Sequence, residues 1–463
     1  DVLGWQPDAK IWVWNNRVVN DLGENVEIDN NGVFVHDETH YYVPSANKIY
    51  QHNSSKYKPQ KQFIVIENKI PFPQFMEKVY LVHREHAISG LLFSFASLFQ
   101  DLIAKEAKAF PILFLYGPGS SGKDGLVRVV QSFLGIPQAP ISLESGASTL
   151  KAQIREFAQF RNGIGQLSEY YAGDGKLDGM VKGLWDRNGY KRGNIESAVA
   201  TDSIDIDSST AMTGNQYPNR EALVTRLIWN EMDKVVFTDE ENKNYDELND
   251  MCDGGVSGYS NALLAFRRKV EASFSKEYRF FKNHLGDMYK DLNPKARMIQ
   301  NLAVLAAVYK IFRDEADIHF PFSQTDMTNH FKNQLKLQVA KMNTASIMVR
   351  FWSCFITSLR GHKDDRLQVG HIVNVEGNSL YFNWTHTISK IERQWWIQYR
   401  EAAPDKNTLK EELSKNGFIV ANHSKYSFDK GREANRTSAV EINLLALTDE
   451  TREDIVGSIM FQK

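Results

Sequence analysis

Phe114-Leu115-Tyr116-Gly117-Pro118-Gly119-Ser120-Ser121-Gly122-Lys123-Asp124 is the stretch that decides the fold. Its apolar part, Ile112 to Tyr116, opens after Pro111 and stops at Gly117. A run this short between turn signals predicts a strand buried on both faces, as in a parallel sheet. Glycines let the backbone that follows wrap around phosphate oxygens with its N–H groups inward, and Lys123 reaches toward the β- and γ-phosphates. A helix from Asp124 to about Phe133 brings its N-terminus to the same anions. Gly117, Pro118, Gly119, Ser120, Ser121, Gly122, Lys123 and Asp124 are therefore the expected nucleotide-binding loop, with ATP and Mg²⁺ as its ligands.

One position departs from the P-loop pattern. The residue after the lysine is normally Ser or Thr, whose hydroxyl ligates Mg²⁺, and here it is Asp124. A second core strand is expected to end at Leu167-Ser168-Glu169-Tyr170, after a helix carrying Leu150, Ile154, Phe157 and Ala158. ATPases of this broad kind usually close that strand with Asp-Glu, where this chain has Ser168-Glu169. A hydroxyl has become a carboxylate at 124, and a carboxylate a hydroxyl at 168. Two readings stay open. In one, Asp124 ligates Mg²⁺, Ser168 hydrogen-bonds to it and Glu169 polarises the attacking water. In the other, the pocket binds nucleotide without turning it over.

Thr210 to Pro218 reads as a strand ending in a polar turn, and the order Lys123, Glu169, Asn215 makes Asn215 a candidate sensor of the γ-phosphate. Arg226 lies in the apolar surround Ala222-Leu223-Val224-Thr225-Arg226-Leu227-Ile228-Trp229 and needs an anionic partner. That partner is either a carboxylate of its own subunit or a phosphate bound by a neighbour; Arg220 is a second candidate for the latter. Lys182 to Asn194 mixes basic, aromatic and turn-forming residues, as expected of a loop that grips a DNA backbone and stacks bases. Its candidate DNA-binding residues are Lys182, Arg187, Lys191 and Arg192, although a solvated surface loop has a similar composition.

Further out, 463 residues suffice for two to four domains. The hydrophobic share of 42% and charged share of 24% are those of an ordinary globular protein. A net charge of -2 excludes an overall basic coat but not a local basic channel. Cys252 and Cys354 are too few for a disulfide scaffold or a four-thiolate zinc site. No stretch reaches the roughly 18 apolar residues needed to span a bilayer, so no membrane partner is expected and a cytoplasmic location is. The opening Asp1-Val2-Leu3-Gly4 carries neither a signal peptide nor an initiator methionine, which predicts a fragment or processed product.

The expected domains are a β-rich part over 1–70, a helical segment over 71–109, a P-loop ATPase core over 110–235, a helical region over 236–370 and a carboxyl-terminal domain over 371–463. In the last, a helix from Ile388 to Tyr399 and one capped by Asp405 precede strands at Phe418-Ile419-Val420 and Val440 to Leu444. The loop between those strands carries Lys425, Lys430, Arg432 and Arg436. Two helices followed by a ribbon with a basic tip resemble a winged helix, which binds duplex DNA or other proteins.

Phe110 to Trp229 resembles the superfamily 3 helicase-type ATPases of viruses, phages and plasmids, and more closely the helicase part of primase-helicase proteins from phages and mobile elements of Bacteroides-type bacteria. Phe114 to Lys123, Leu167 to Tyr170, Lys182 to Arg192, and Thr213 to Gln216 leading to Arg226 carry the likeness. Gly4 to Trp12 looks like the domain preceding the ATPase in those proteins. The resemblance implies a multidomain α/β fold around an AAA+-like core, with Lys123 on phosphate, Glu169 activating water, Asn215 as sensor and Arg226 as arginine finger. It also implies a ring, a hexamer by analogy, with Lys191 and Arg192 facing single-stranded DNA, and a primase module upstream or in another protein. The function expected is an ATP-driven replicative helicase or translocase. The alternatives are a DNA-bound ATPase switch that does not unwind, or a nucleotide-binding structural subunit.

Overall fold

The amino end folds into short strands bounded by Asn, Asp and Gly, as its turn-rich sequence predicts. β1 (Leu3–Gln6), β2 (Ile11–Val13), β3 (Val18–Asn20) and β4 (Asn25–Val26) run antiparallel in sequence order, and β5 (Val33–His36) pairs with β6 (Thr39–Tyr42). Trp12, Trp14 and Phe63 pack ring against ring behind them. Four helices follow: α1 (Lys58–Gln62), α2 (Phe72–His83), α3 (His86–Leu98) and α4 (Gln100–Ala107). The computed structural model describes residues 2–53, 56–143, 150–172, 175–187, 190–193, 201–218, 220–233, 237–344, 347–361, 366–415, 417–429, 436–447 and 449–462.

The central α/β part contains β7 (Ile112–Tyr116), α5 (Lys123–Ser132), β8 (Ile141–Ser142), α6 (Leu150–Phe157), β9 (Phe160–Tyr170) and α7 (Gly175–Trp185). It continues through β10 (Tyr190–Gly193), β11 (Thr201–Ile204), β12 (Asp207–Gly214), α8 (Glu221–Val224) and β13 (Leu227–Glu231). The sheet order is β13-β7-β12-β9, all parallel, with β8 also parallel on β9. Leu113, Phe114 and Leu115 have no exposure, the burial that an apolar run inside a parallel sheet requires.

β1 extends this sheet by pairing parallel with β9, Leu3 opposite Phe160 and Gly4 opposite Arg161. Gly4 has φ +91, and a Cβ there would lie 1.8 Å from the Arg161 carbonyl oxygen, so glycine permits the approach. The expected boundary between residues 70 and 71 therefore does not part the sheet.

The helical stretch is α9 (Asp239–Asp253), α10 (Ser257–Leu264), α11 (Arg267–Met288), α12 (Ala296–Glu315) and α13 (Gln324–Thr344). Thr238 opens α9 with a capping box closed by Glu241. Among the described residues no single helix is long and apolar enough to cross a membrane, and the apolar pair α3 and α4 is bent by 94°.

The chain divides into two compact units, residues 1–218 with 222–340, and 219–221 with 341–463. The second contains α14 (Ile347–Arg360), β14 (Val373–Glu376), β15 (Ser379–Phe382), α15 (Trp384–Tyr399), α16 (Lys406–Lys415), β16 (Ile419–Ser427), β17 (Arg436–Asn443) and α17 (Asp449–Met460). Asp405 accepts hydrogen bonds from the Asn407 and Thr408 N–H groups at the start of α16. The sheet has four strands in the order β14-β15-β17-β16, where the sequence predicted only the ribbon β16-β17. This unit begins earlier than residue 371 because Phe351, Phe355 and Leu359 of α14 belong to its core with Phe382, Ile391, Leu409 and Ile442. Lys430 and Arg432 lie outside the described residues.

Candidate functional site

The site begins where β7 ends. A Cβ on Gly117 would lie 2.1 Å from the Met232 carbonyl oxygen, so the chain can leave the sheet there only as glycine. Ser120 (φ 64) and Gly122 (φ 85) take left-handed backbone and turn the loop back toward α5. The loop is tied to both neighbouring strands: Gly117 N–H donates to the Gly214 oxygen at 3.2 Å, and Met232 N–H to the Tyr116 oxygen at 2.7 Å.

Lys123 opens α5 and is buried at 8% exposure. Its Nζ donates to the Gly117 and Pro118 carbonyl oxygens at 2.7 Å each, to Asn215 Oδ1 at 3.1 Å and to Ser121 Oγ at 3.4 Å. Burial lowers its pKa, and the neighbouring Asp124 carboxylate partly offsets this. The structure thus brings together Lys123 and Asn215, two residues far apart in sequence that the reading had placed at one phosphate.

β9 carries the second acidic element. Between the pairs Leu167–Met212 and Tyr170–Gly214 the register shifts, so Ser168 and Glu169 together oppose Thr213 alone. This is a β-bulge, and Glu169 sits in it with φ 63. Left-handed backbone at a non-glycine residue is strained, and such strain clusters at functional sites. Ser168 is buried and Glu169 exposed. Ser142 Oγ, on β8, donates to Glu169 Oε2 at 2.9 Å. Ser142 went unnoticed in the sequence because a two-residue strand has no period to detect.

Asp124 is exposed in the first turn of α5, where a carboxylate suits the helix N-terminus. Ser168 lies on β9, two strands away from β7, and among the described residues no hydrogen bond joins it to Asp124. A carboxylate and a hydroxyl are the hard oxygen donors that Mg²⁺ takes, so the residue types fit the ion.

Arg226 is also buried, at 9% exposure. Its guanidinium donates to the Ala222 oxygen at 2.5 Å, stands 3.6 Å from Asp186 and lies over the Trp185 ring at 4.8 Å. Burial lowers its pKa while Asp186 raises it. Of the two partners open to Arg226, the structure contains the carboxylate of the same chain. Arg220 is exposed.

The expected DNA-gripping loop is not one loop. Lys182 is half-buried in the last turn of α7. Arg187 follows that helix and is ion-paired with Asp207, which Arg161 also approaches at 3.3 Å. Lys191 and Arg192 are in β10, opposite Ser203 and Asp202 of β11. The residues between these strands, including Asn194, and the residues Asn188 and Gly189 lie outside the described residues.

No family model matches this chain, and no curated protein matches it. Among solved structures, the SCCmec type IV Cch active helicase is similar, with a TM-score of 0.54 over 81% of this chain and 71% of that one, at 14% identity. At that identity the likeness is one of fold: the chain has a helicase-like, multidomain α/β architecture.

Proposed function

We propose that this chain is an ATP-driven DNA helicase or translocase, working in replication of a phage or mobile element. The observation that carries the reading is the meeting of Lys123 Nζ with Asn215 Oδ1 at 3.1 Å, at the carboxyl ends of two adjacent parallel strands. Ligands of open α/β sheets bind at such ends, where crossovers leave a strand in opposite directions. Here the chain leaves β7 toward β8 and β9, then returns through β12 and passes over to β13 on the other side.

In this reading Lys123 and the N–H groups of the loop hold the polyphosphate, Asn215 senses its terminal group and Glu169 draws a proton from the attacking water. Asp124 and Ser168 hold Mg²⁺, which supplies charge to offset the phosphates. Lys182, Arg187, Lys191 and Arg192 are proposed for single-stranded DNA, with Lys191 and Arg192 on the hairpin of β10 and β11 reaching it in the channel of a ring. Arg226 serves the nucleotide of the next subunit in that ring, a hexamer by analogy. The carboxyl-terminal unit acts as a winged-helix-like module, and a primase acts upstream or in another protein. The similar fold of a protein described as an active helicase supports the reading without specifying its substrate.

A second reading, nucleotide binding without turnover, is favoured by Arg226, which already engages Asp186 and Trp185 in its own chain. One experiment separates the two. ATP hydrolysis and strand displacement on a forked DNA are measured for the wild type and K123A. Both activities in the wild type, and neither in K123A, support the helicase; ATP binding with no hydrolysis under any DNA condition supports the second reading.

A further inference from the structure

α12 carries an amide at the head of an otherwise apolar run. From Asn301 to Tyr309 every residue of the helix is buried, and between those two the sequence is Leu, Ala and Val throughout. Burying an amide is costly unless its polar atoms are hydrogen-bonded, and Asn301, at 3% exposure, satisfies both ends. Its Nδ2 donates to the Thr225 carbonyl oxygen at 3.1 Å and, at the longer distance of 3.5 Å, to that of Leu227. Its Oδ1 accepts from Trp185 Nε1 at 3.4 Å. An indole N–H only donates and a carbonyl oxygen only accepts, so one orientation of the amide serves both. We propose that Asn301 is a positioning residue for Arg226, the amide that aims the arginine at a neighbouring subunit's nucleotide. The inference rests on that reading of Arg226.

The two ends of the amide act on the two things that aim a guanidinium, its backbone and the surface beneath it. The Thr225 oxygen belongs to the rigid peptide plane that enters Arg226. The plane that leaves Arg226 is held by β7, where the Ile112 N–H donates to the Arg226 oxygen at 3.3 Å. With both planes fixed, only the side-chain torsions of Arg226 are left to set. The guanidinium lies over the Trp185 ring at 4.8 Å. That residue is itself pinned twice, at Nε1 by Asn301 and at its backbone oxygen by the Phe110 N–H at 3.2 Å. One side chain thus joins the backbone of the arginine to the plate on which its charge rests.

Gln338 of α13 supplies the contrast. It is buried as deeply, and its Nε2 donates to the Val224 and Leu227 oxygens at 2.7 and 3.0 Å. Those carbonyls stand on either side of Arg226, so Gln338 holds the same turn to the rest of the fold. Among the described residues, however, no hydrogen bond joins Gln338 to Trp185. A role confined to holding the edge strand belongs to both amides, whereas the link to the ring belongs to Asn301. Stability and catalysis should therefore part company at these two positions.

The test is ATP hydrolysis by the full chain at saturating DNA, for N301L, Q338M, R226A and the double variant N301L/R226A, each assayed well below its own unfolding midpoint. N301L should lower kcat by about a hundredfold, the cost of a catalytic group misplaced by about 1 Å. KM for ATP should change little, because the loop around Lys123 is intact. In the R226A background N301L should cost nothing further, since the group it aims is gone. Q338M should lower kcat by no more than about threefold, the weight of one hydrogen bond, even where its midpoint falls as far. Should N301L fail to fold, W185F breaks the same link from the side of the ring and carries the same predictions. Losses that multiply in the double variant, or N301L no slower than Q338M, would overturn the positioning role and leave Arg226 in place. R226A turning over at the wild-type rate removes the reading of Arg226, and this inference with it. A wild type that hydrolyses no ATP with any DNA removes both.

Discussion

Lys123 and Arg226 are both buried cations, and the sheet keeps them at opposite ends. Lys123 follows the carboxyl end of β7, whereas Arg226 precedes the amino end of β13, which runs parallel beside it. The partners of Lys123 are carbonyl, amide and hydroxyl oxygens, all of them neutral. Arg226 has a carboxylate at 3.6 Å and an indole face. A buried ammonium among neutral dipoles gains a great deal from an arriving anion, while a guanidinium already facing a carboxylate must give that up first. The difference separates a buried cation among neutral oxygens from one already facing a carboxylate, and it is why the proposed phosphate chemistry is put at the carboxyl end of β7.

The sharpest way to break this comparison is K123A. Loss of the one ammonium at the loop should abolish ATP-dependent activity, read as hydrolysis at saturating DNA; full turnover would misplace the site. E169Q should come next, retaining ATP binding while slowing hydrolysis by about a hundredfold or more, as loss of a general base does. If nucleotide affinity falls instead and bound ATP turns over at the normal rate, Glu169 is structural.

Arg226 is tested by mixing R226A with K123A under conditions where labelled protomers are seen to exchange. Part of the lost ATPase activity should return, because some interfaces then pair a good phosphate loop with a good arginine. No recovery despite proven exchange would leave Arg226 as the internal partner of Asp186 alone.

Buried imidazoles extend the comparison to groups kept neutral. His83 and His330 are both fully inside, and burial holds each at about 3. Their unfolded-state values lie near 6.5, so below that pH the unfolded chain binds more protons and stability falls. The loss continues down to about pH 3, at up to about 1.4 kcal/mol per pH unit for each histidine. Denaturant midpoints measured from pH 7 to pH 5 should fall, and the double variant H83F/H330F should fall less steeply.

The smallest effect is expected at Ser142. Its hydroxyl donates to the Glu169 carboxylate and holds it against β8. S142A should free that carboxylate and raise the DNA-free hydrolysis rate by about threefold, the weight of one hydrogen bond. An unchanged or lower rate would mean the contact aids the reacting position.

The turn after β7 was legible in the sequence because its backbone demands glycine at 117 and 122. The strand before it was legible because burial on both faces needs an unbroken apolar run. Asp186 was not, since its meeting with Arg226 depends on how α7 comes to rest near β13, and no spacing in the chain reports that. The same holds for α14: its apolar face reads as core, but the pattern cannot say which core, and it joins the carboxyl-terminal unit. The ion pair of Arg187 with Asp207 was not legible either, because an exposed turn residue and an ion-paired one have the same composition.

The pairing of β1 with β9 has a consequence for dissecting this protein. One side of β9 is taken by β12 along its length, and the other is shared by β8 at Leu167 and Ser168 and by β1 at Phe160 and Arg161. Cutting the chain just before β7, to isolate the proposed nucleotide-binding part, would strip the amino half of that second side. The bared backbone donors and acceptors of a long strand would then template pairing between copies. Such a truncated protein should self-associate through the sheet, and any oligomer it formed would be an artefact of the missing strand.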